Sequence, residues 1–207
     1  IDHCGSLPML VKQGFKGPIY TTFATRDLCN YMLMDSAYIQ EKEIEYLTKH
    51  KKEIVADYFY SVEDAEKALT LFRGVNYEQS FVLDDGIVVC FYDAGHILGS
   101  SLIHILFYDK KTKKRTSVAF TGDIGRKGLP ILRDPQVLDK TDVLITECTY
   151  GDRLHEALST IEQELANIIN DVVKKGGKLI IPAFSLERTQ EIVYHLNNLS
   201  KAKKIPE

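Results

Sequence analysis

Three short polar clusters follow apolar, strand-like runs: Asp2-His3, Asp93-Ala94-Gly95-His96 and Thr121-Gly122-Asp123. Strand ends and the loops after them are where a fold presents groups to a ligand. His96 follows the run at residues 88–92 and is bracketed by Gly95 and Gly99, so backbone can pack around the imidazole and leave one face open. Asp123 follows Val118-Ala119-Phe120 with Gly122 and Gly125 beside it, a similar setting for a carboxylate. Imidazole nitrogens and carboxylate oxygens are the natural donors for a zinc ion, and a carboxylate can bridge two ions. Singly, each cluster also has an ordinary reading. A histidine beside glycines is commonly a packed or surface residue, and the aspartate of Thr-Gly-Asp is commonly a turn former.

The elements that position these clusters follow from hydrophobic periodicity. Residues 7–12 form a short helix, 18–21 a short strand, and 25–34 a helix, followed by a charged region, 37–52, with few apolar anchors. Ser61 is a helix N-cap with acids in the first turn, where the helix dipole favours them, ahead of a helix over 65–72. After Gly74 the period becomes two. Residues 80–83 and 87–92 flank Asp84-Asp85-Gly86 as a β-hairpin, and 102–108 and 116–121 flank a lysine-rich solvated turn as another. Residues 143–146 predict a short buried strand, 160–175 an amphipathic helix ended by Gly176-Gly177, 178–181 a strand, and 186–199 a last helix.

The 207 residues are 44% apolar, as in an ordinary globular protein. No run approaches the roughly 18 to 20 apolar residues of a membrane span, and no signal peptide opens the chain, so a cytoplasmic protein is expected. Cys4, Cys29, Cys90 and Cys148 lie far apart, without a C-x-x-C pair, and are expected to be buried thiols. A net charge of −3 exerts no overall pull on a polyanion, so any nucleic-acid contact must come from a local groove. The opening at Ile1 and the close at Glu207 suggest a chain cut at both ends.

Five motifs, in order along nearly the whole chain, resemble the metallo-β-lactamase superfamily in its β-CASP branch. Asp2-His3 with Gly5-Ser6-Leu7-Pro8 resembles the end of the family's H-x-H-x-D-H metal motif. Asp93-Ala-Gly-His96-Ile-Leu-Gly-Ser100 resembles its later histidine loop, and Phe120-Thr-Gly-Asp-Ile-Gly125 its bridging-aspartate loop. Thr146-Glu-Cys-Thr-Tyr-Gly-Asp-Arg153 resembles the acidic motif opening the β-CASP insertion, and Pro182-Ala-Phe-Ser-Leu-Glu-Arg-Thr-Gln-Glu191 the strand-to-helix turn within it.

The resemblance implies an α/β (α+β) fold: a partial αββα metallo-β-lactamase sandwich over residues 1–150 and the start of a β-CASP domain over 151–207. It implies that Asp2 and His3 bind one zinc, His96 the other, and that Asp123 bridges both, with Asp2 and Glu147 in catalytic roles. Two such cations lower the pKa of a shared water and offset charge on a phosphodiester. Glu147 would support a neighbouring histidine, as a partner carboxylate does for an imidazole near metal. His155 and Arg188 are candidate phosphate contacts; His155 is otherwise a surface residue, and Arg188 a partner for Glu187 or Glu191. His50 reads as solvated, and His104, alternating with Ile103 and Ile105, as lying on a sheet face.

The expected function is zinc-dependent hydrolysis of single-stranded RNA, endonucleolytic with a 5′-to-3′ exonuclease mode in view, and the branch allows a homodimer. With the H-x-H and the later β-CASP histidines outside this sequence, zinc binding by the chain alone is expected to be weak or absent, and its activity low. The alternative is a catalytically silent β-CASP scaffold in an RNA-processing complex. A third reading, a small-ester or thioester hydrolase, leaves Glu147 and the 182–191 motif without a purpose.

Overall fold

The computed structural model describes residues 3–50, 59–138, 140–154 and 160–206. It is mixed α/β, with the chain divided between two compact units: Ile1–Tyr92 with Ile103–Arg115, and Asp93–Leu102 with Thr116–Glu207.

The first unit opens with α1 (Leu7–Lys12), β1 (Ile19–Thr22) and α2 (Phe23–Lys49). The helix expected over 25–34 and the charged region after it, as far as Lys49, form one 27-residue helix. Thr22 caps it, its hydroxyl oxygen accepting the Thr25 N–H at 3.2 Å. Only Cys29, Leu33 and Ala37 of α2 are buried, spaced four apart along one ridge. Beyond Ala37 the glutamates, lysines and glutamine are strong helix formers, so intrinsic propensity carries the helix past its apolar contacts.

Next come α3 (Val62–Leu69) and β2 (Phe72–Val75). Ser61 and Asp64 form a reciprocal capping box, in which the Ser61 hydroxyl accepts the Asp64 N–H and the Asp64 carboxylate accepts the Ser61 N–H. The helix stops at Leu69, short of the expected residue 72, because Phe72 enters a strand that the sequence reading lacks. It pairs parallel to β1 with Ile19 opposite Phe72. Cys29, Leu33, Ala37, Tyr60, Ala65 and Phe72 form this unit's core. The Tyr60 hydroxyl donates to Ser36 Oγ at 2.9 Å.

The first expected hairpin is present as β3 (Phe81–Asp84) and β4 (Ile87–Asp93), antiparallel with Val82 opposite Val88. Its turn places Gly86 at φ +79°, open to glycine without strain. The second hairpin comprises β5 (Ser101–Asp109) and β6 (Lys114–Phe120), its basic tip exposed as expected. The sheets are β1-β2 and, in order, β3-β4-β5-β6-β7, the last strand being Val143–Ile145.

In the second unit β7 runs parallel to β6, with Phe120 opposite Ile145. The expectation of a buried strand is corrected here: Val143, Leu144 and Ile145 are 46%, 55% and 49% exposed, with β6 as the only neighbour in the strand order. Residues 178–181 likewise form no strand among the described residues. Two helices follow the sheet, α4 (Ile161–Lys174) and α5 (Arg188–Lys201), and Gly176 at φ +67° ends the first. Glu162 of α4 ties to α5, bonding His195 Nδ1 at 3.1 Å and accepting from Asn198 at 3.2 Å. These partners hold its carboxyl below the usual range.

The cysteine expectation is half corrected. Cys29 and Cys90 are buried, but Cys4 is part-exposed and Cys148 exposed, because both sit in turns. Among the described residues no helix is long and apolar enough to cross a membrane.

Ser61→Ala removes half of the capping box, and we expect it to lower stability by about 1 kcal/mol, read as a lower urea midpoint at unchanged slope.

Candidate metal centre

Parallel strands end at the same edge of a sheet, and that topology brings the second unit's polar groups together. With Phe120 opposite Ile145, the residues following β6 and β7 emerge side by side, the Thr121 N–H donating to the Ile145 carbonyl at 3.0 Å. Thr121 is buried, and its hydroxyl oxygen accepts the Glu147 N–H at 3.4 Å. Ser117 and Asp142 fix the other end of the pair, the Asp142 carboxylate accepting both the N–H and the hydroxyl of Ser117.

Glu147 accepts the Ile124 N–H at 2.6 Å, pinning the residue after Asp123. That bond first, then the Thr149 hydroxyl, hold the Glu147 carboxyl below the usual range against partial desolvation, with the field of His96 adding to the effect. Glu147 is therefore an ionised acceptor at neutral pH.

The loop carrying His96 is folded on itself and against the Asp123 loop. Ser100 Oγ accepts the N–H groups of His96 and Ile97 at 3.1 and 3.2 Å, and Asp93 Oδ1 accepts the Gly95 N–H at 2.9 Å. The Gly125 N–H donates to the Ala94 carbonyl at 2.8 Å. Backbones meet so closely that a Cβ on Gly125 would overlap the Gly95 carbonyl. Gln136 closes the far side, its N–H donating to the Asp93 carbonyl and its side-chain oxygen accepting the Asp93 N–H.

These contacts place His96 Nε2 3.7 Å from Asp123 Oδ2, with 43% and 39% of the side chains exposed. Two donors bound to one zinc at ~2.0–2.2 Å in tetrahedral geometry lie about 3.3 to 3.6 Å apart, so the pair fits two positions on a single ion with a small contraction. The chemistry fits too, an imidazole nitrogen beside a carboxylate oxygen on an open face. Among the described residues no group of three or more histidine, cysteine or acidic side chains converges.

Glu147, also an expected site residue, reaches the Asp123 loop through the Ile124 N–H. Asp2 and His155 fall outside the described residues. His3 belongs to the first unit, in the turn before α1. Arg188 pairs with the buried Glu191 at 2.7 Å while remaining 63% exposed on its own side chain. His50 is exposed at the C-terminus of α2, and His104 is a half-buried residue of β5.

Glu187 is a residue the sequence reading took only as a partner for Arg188. It is the centre of a γ-turn, φ +66° and ψ −73°, closed by the Arg188 N–H on the Leu186 carbonyl at 2.9 Å. This conformation is rare and strained for a side chain with a Cβ. Its Oε1 is buried without a hydrogen-bond partner among the described residues. Burial, then Glu191, push its carboxyl up, while Arg188 and His96 draw it down. The motif at residues 182–191 contains it as part of a strand-to-helix turn, but the strained conformation itself is visible only in the backbone.

Gly125→Ala forces two backbones apart and should destabilise the chain by roughly 2 to 3 kcal/mol in urea unfolding. Removing the Glu147 acceptor with Glu147→Ala should cost about 1 to 2 kcal/mol at pH 7 and Glu147→Gln less, since the amide oxygen still accepts. Folding lowers this carboxyl's proton affinity, so its contribution is full above the unfolded pKa of about 4.3 and is lost as pH falls through the lower folded value. Wild type and Glu147→Ala should accordingly converge in acid, and a gap that persists there would contradict this account.

Residues 1–116 match the family model of the metallo-beta-lactamase superfamily domain. The chain is 33% identical over 196 residues to Ribonuclease TTHA0252 of Thermus thermophilus, covering 95% of this chain and 40% of that protein. It is 35% identical over 211 residues to an RNase J-like protein of Methanocaldococcus jannaschii, covering 99% and 43%. It is 32% identical over 200 residues to Cleavage and polyadenylation specificity factor 73 of Drosophila melanogaster, covering 95% and 26%. The chain thus spans less than half the length of these curated relatives. With a domain match over more than half of its residues, the chain belongs to the metallo-β-lactamase superfamily.

Proposed function

We propose that this chain carries part of the centre of a zinc-dependent ribonuclease that hydrolyses phosphodiester bonds of single-stranded RNA. The observation that carries the proposal is the 3.7 Å approach of His96 to Asp123 on an exposed face. Relatives named as ribonucleases from a bacterium and an archaeon support the choice of RNA.

In this reading residues 1–150 contribute lactamase-type elements and 151–207 begin the β-CASP part. His96 and Asp123 hold metal, joined by Asp2 and His3. When bound, paired zinc ions supply an activated water and neutralise charge on the phosphodiester. The chain's own contribution is positional. Ionised Glu147 holds the backbone beside Asp123 through Ile124. The exposed Arg188 guanidinium offers donors to a phosphate while Glu191 fixes its direction.

In the full-length protein we expect about two zinc ions per chain by elemental analysis, together with cleavage of a labelled single-stranded RNA. Asp123→Ala should reduce both, cleavage by more than about 100-fold. A full-length protein with neither zinc nor cleavage would instead be a silent RNA-processing scaffold.

A further inference from the structure

Residues 121–138 form no helix or strand, yet the segment 125–136 is fastened at both ends to the loop that carries His96. At its start the Gly125 N–H donates to the Ala94 carbonyl at 2.8 Å, and a Cβ on Gly125 would overlap the Gly95 carbonyl and crowd the His96 nitrogen. At its close a Cβ on Gly95 would meet the Arg133 carbonyl oxygen and the Pro135 nitrogen, each at 2.7 Å, and Gln136 exchanges two hydrogen bonds with Asp93. Gly95 is thus enclosed between the two ends of the segment. Its middle is drawn together by the Gly128 N–H, which donates to the Asp134 carboxylate at 2.7 Å. A surface loop with adjacent ends and bonds of its own is an Ω-loop, a form that frequently carries function.

The loop is cationic in a chain whose net charge is −3. It carries Arg126, Lys127 and Arg133 against one acid, Asp134, whose carboxylate is engaged with the Gly128 N–H. Lys127 and Arg133 are exposed and Arg126 is part-exposed. Neither Lys127 nor Arg133 has an ion-pair partner among the described residues. Arg126 comes directly after the Gly125 contact, and the Arg133 carbonyl is itself part of the contact with Gly95. Cations therefore stand at both ends of the loop, beside the residue that precedes His96.

We propose that Arg126, Lys127 and Arg133 form a cationic rim that grips the phosphates of a single-stranded RNA next to the one at the metal centre. The proposal rests on the ribonuclease reading of that centre and supplies what a metal pair lacks. Metal ions neutralise the phosphodiester on which they act, while the neighbouring phosphates keep their charge. Guanidinium groups offer those phosphates bidentate donors, and a lysine offers a point charge. Such contacts hold a strand whatever its base sequence and set its register. Because the loop is joined through backbone to the His96 loop, a strand held on it is registered against the metal pair.

The test compares the full-length protein with its Arg126→Gln/Lys127→Gln/Arg133→Gln variant, binding a labelled single-stranded RNA in EDTA, by fluorescence anisotropy across a range of sodium chloride. Each phosphate contact to a single strand contributes about 0.7 to the slope of log K against log salt, so the variant should lose about 2 from that slope and at least about 10-fold in affinity at low salt. Glutamine keeps the stem and a hydrogen-bonding end, and an unchanged melting temperature shows that the fold is intact. Should the triple variant unfold, Lys127→Gln alone decides, with an expected loss of about 0.7 from the slope. A Lys111→Gln/Lys113→Gln/Lys114→Gln variant of the exposed β5–β6 turn removes the same charge elsewhere and should keep the wild-type slope. Equal losses in both triple variants would make the effect one of net charge and overturn the proposal, as would a rim variant with the wild-type slope or a full-length protein that binds no RNA. Unchanged RNA affinity with weakened binding of a glutamate-rich peptide would also overturn it and make the loop a protein-docking surface. Zinc content measured on the same samples tests the metal reading separately: a zinc-free wild type whose rim variant still loses slope keeps the rim and ends the nuclease reading.

Discussion

The backbone of Gly125 lies against that of Gly95 and His96 so tightly that no side chain fits between them, and the placement of the His96 and Asp123 loops depends on that approach. A hydrogen bond from Gly125 to Ala94 sets the distance, and Gln136 holds the far side of the same loop. His96 and Asp123 are each displayed by a loop, and loops are ordinarily the mobile part of a fold. Here the two loops are bound to one another through backbone before they meet any ligand, which fixes where the two side chains start. Preorganisation of this kind is what a site needs if binding is not to be spent on ordering it.

The first unit solves a different problem with different means. Among the described residues one core cluster of this unit has six buried members, three of them from α2, and its helices are secured by polar caps at Thr22 and at Ser61 with Asp64. The long charged second half of α2 adds almost no burial. Stability there is drawn from helix propensity and capping, which act locally and need no neighbour.

That difference explains which features could be read from residue order. The hairpin at Gly86, the cap at Ser61 and the stop at Gly176 depend on a few adjacent residues, and each is visible in them. His96 and Asp123 were visible as chemistry, but their meeting depends on the parallel pairing of β6 with β7 and on a backbone contact that no spacing reveals. The short strand β2 and the exposure of β7 were missed for a related reason: an apolar run states a preference for burial, while its neighbours decide whether it is met. Residues 178–181 carry the same preference and find no strand partner among the described residues. Glu187 lies beyond sequence reading altogether, since its distinction is a positive φ at a residue type that seldom accepts one.

The parallel pairing of β6 and β7 also sets an order in time. Ser117 and Asp142 are 25 positions apart, and a parallel pair cannot zip up from a tight turn as the hairpin at Gly86 can. The intervening chain must close on itself before any pairing rewards it, so this contact lies late on the route to the native state and early on the route out of it. Asp123 lies within that closing segment and Glu147 just past its end. The loops of Asp123 and Glu147 thus come together only after the local structure is complete.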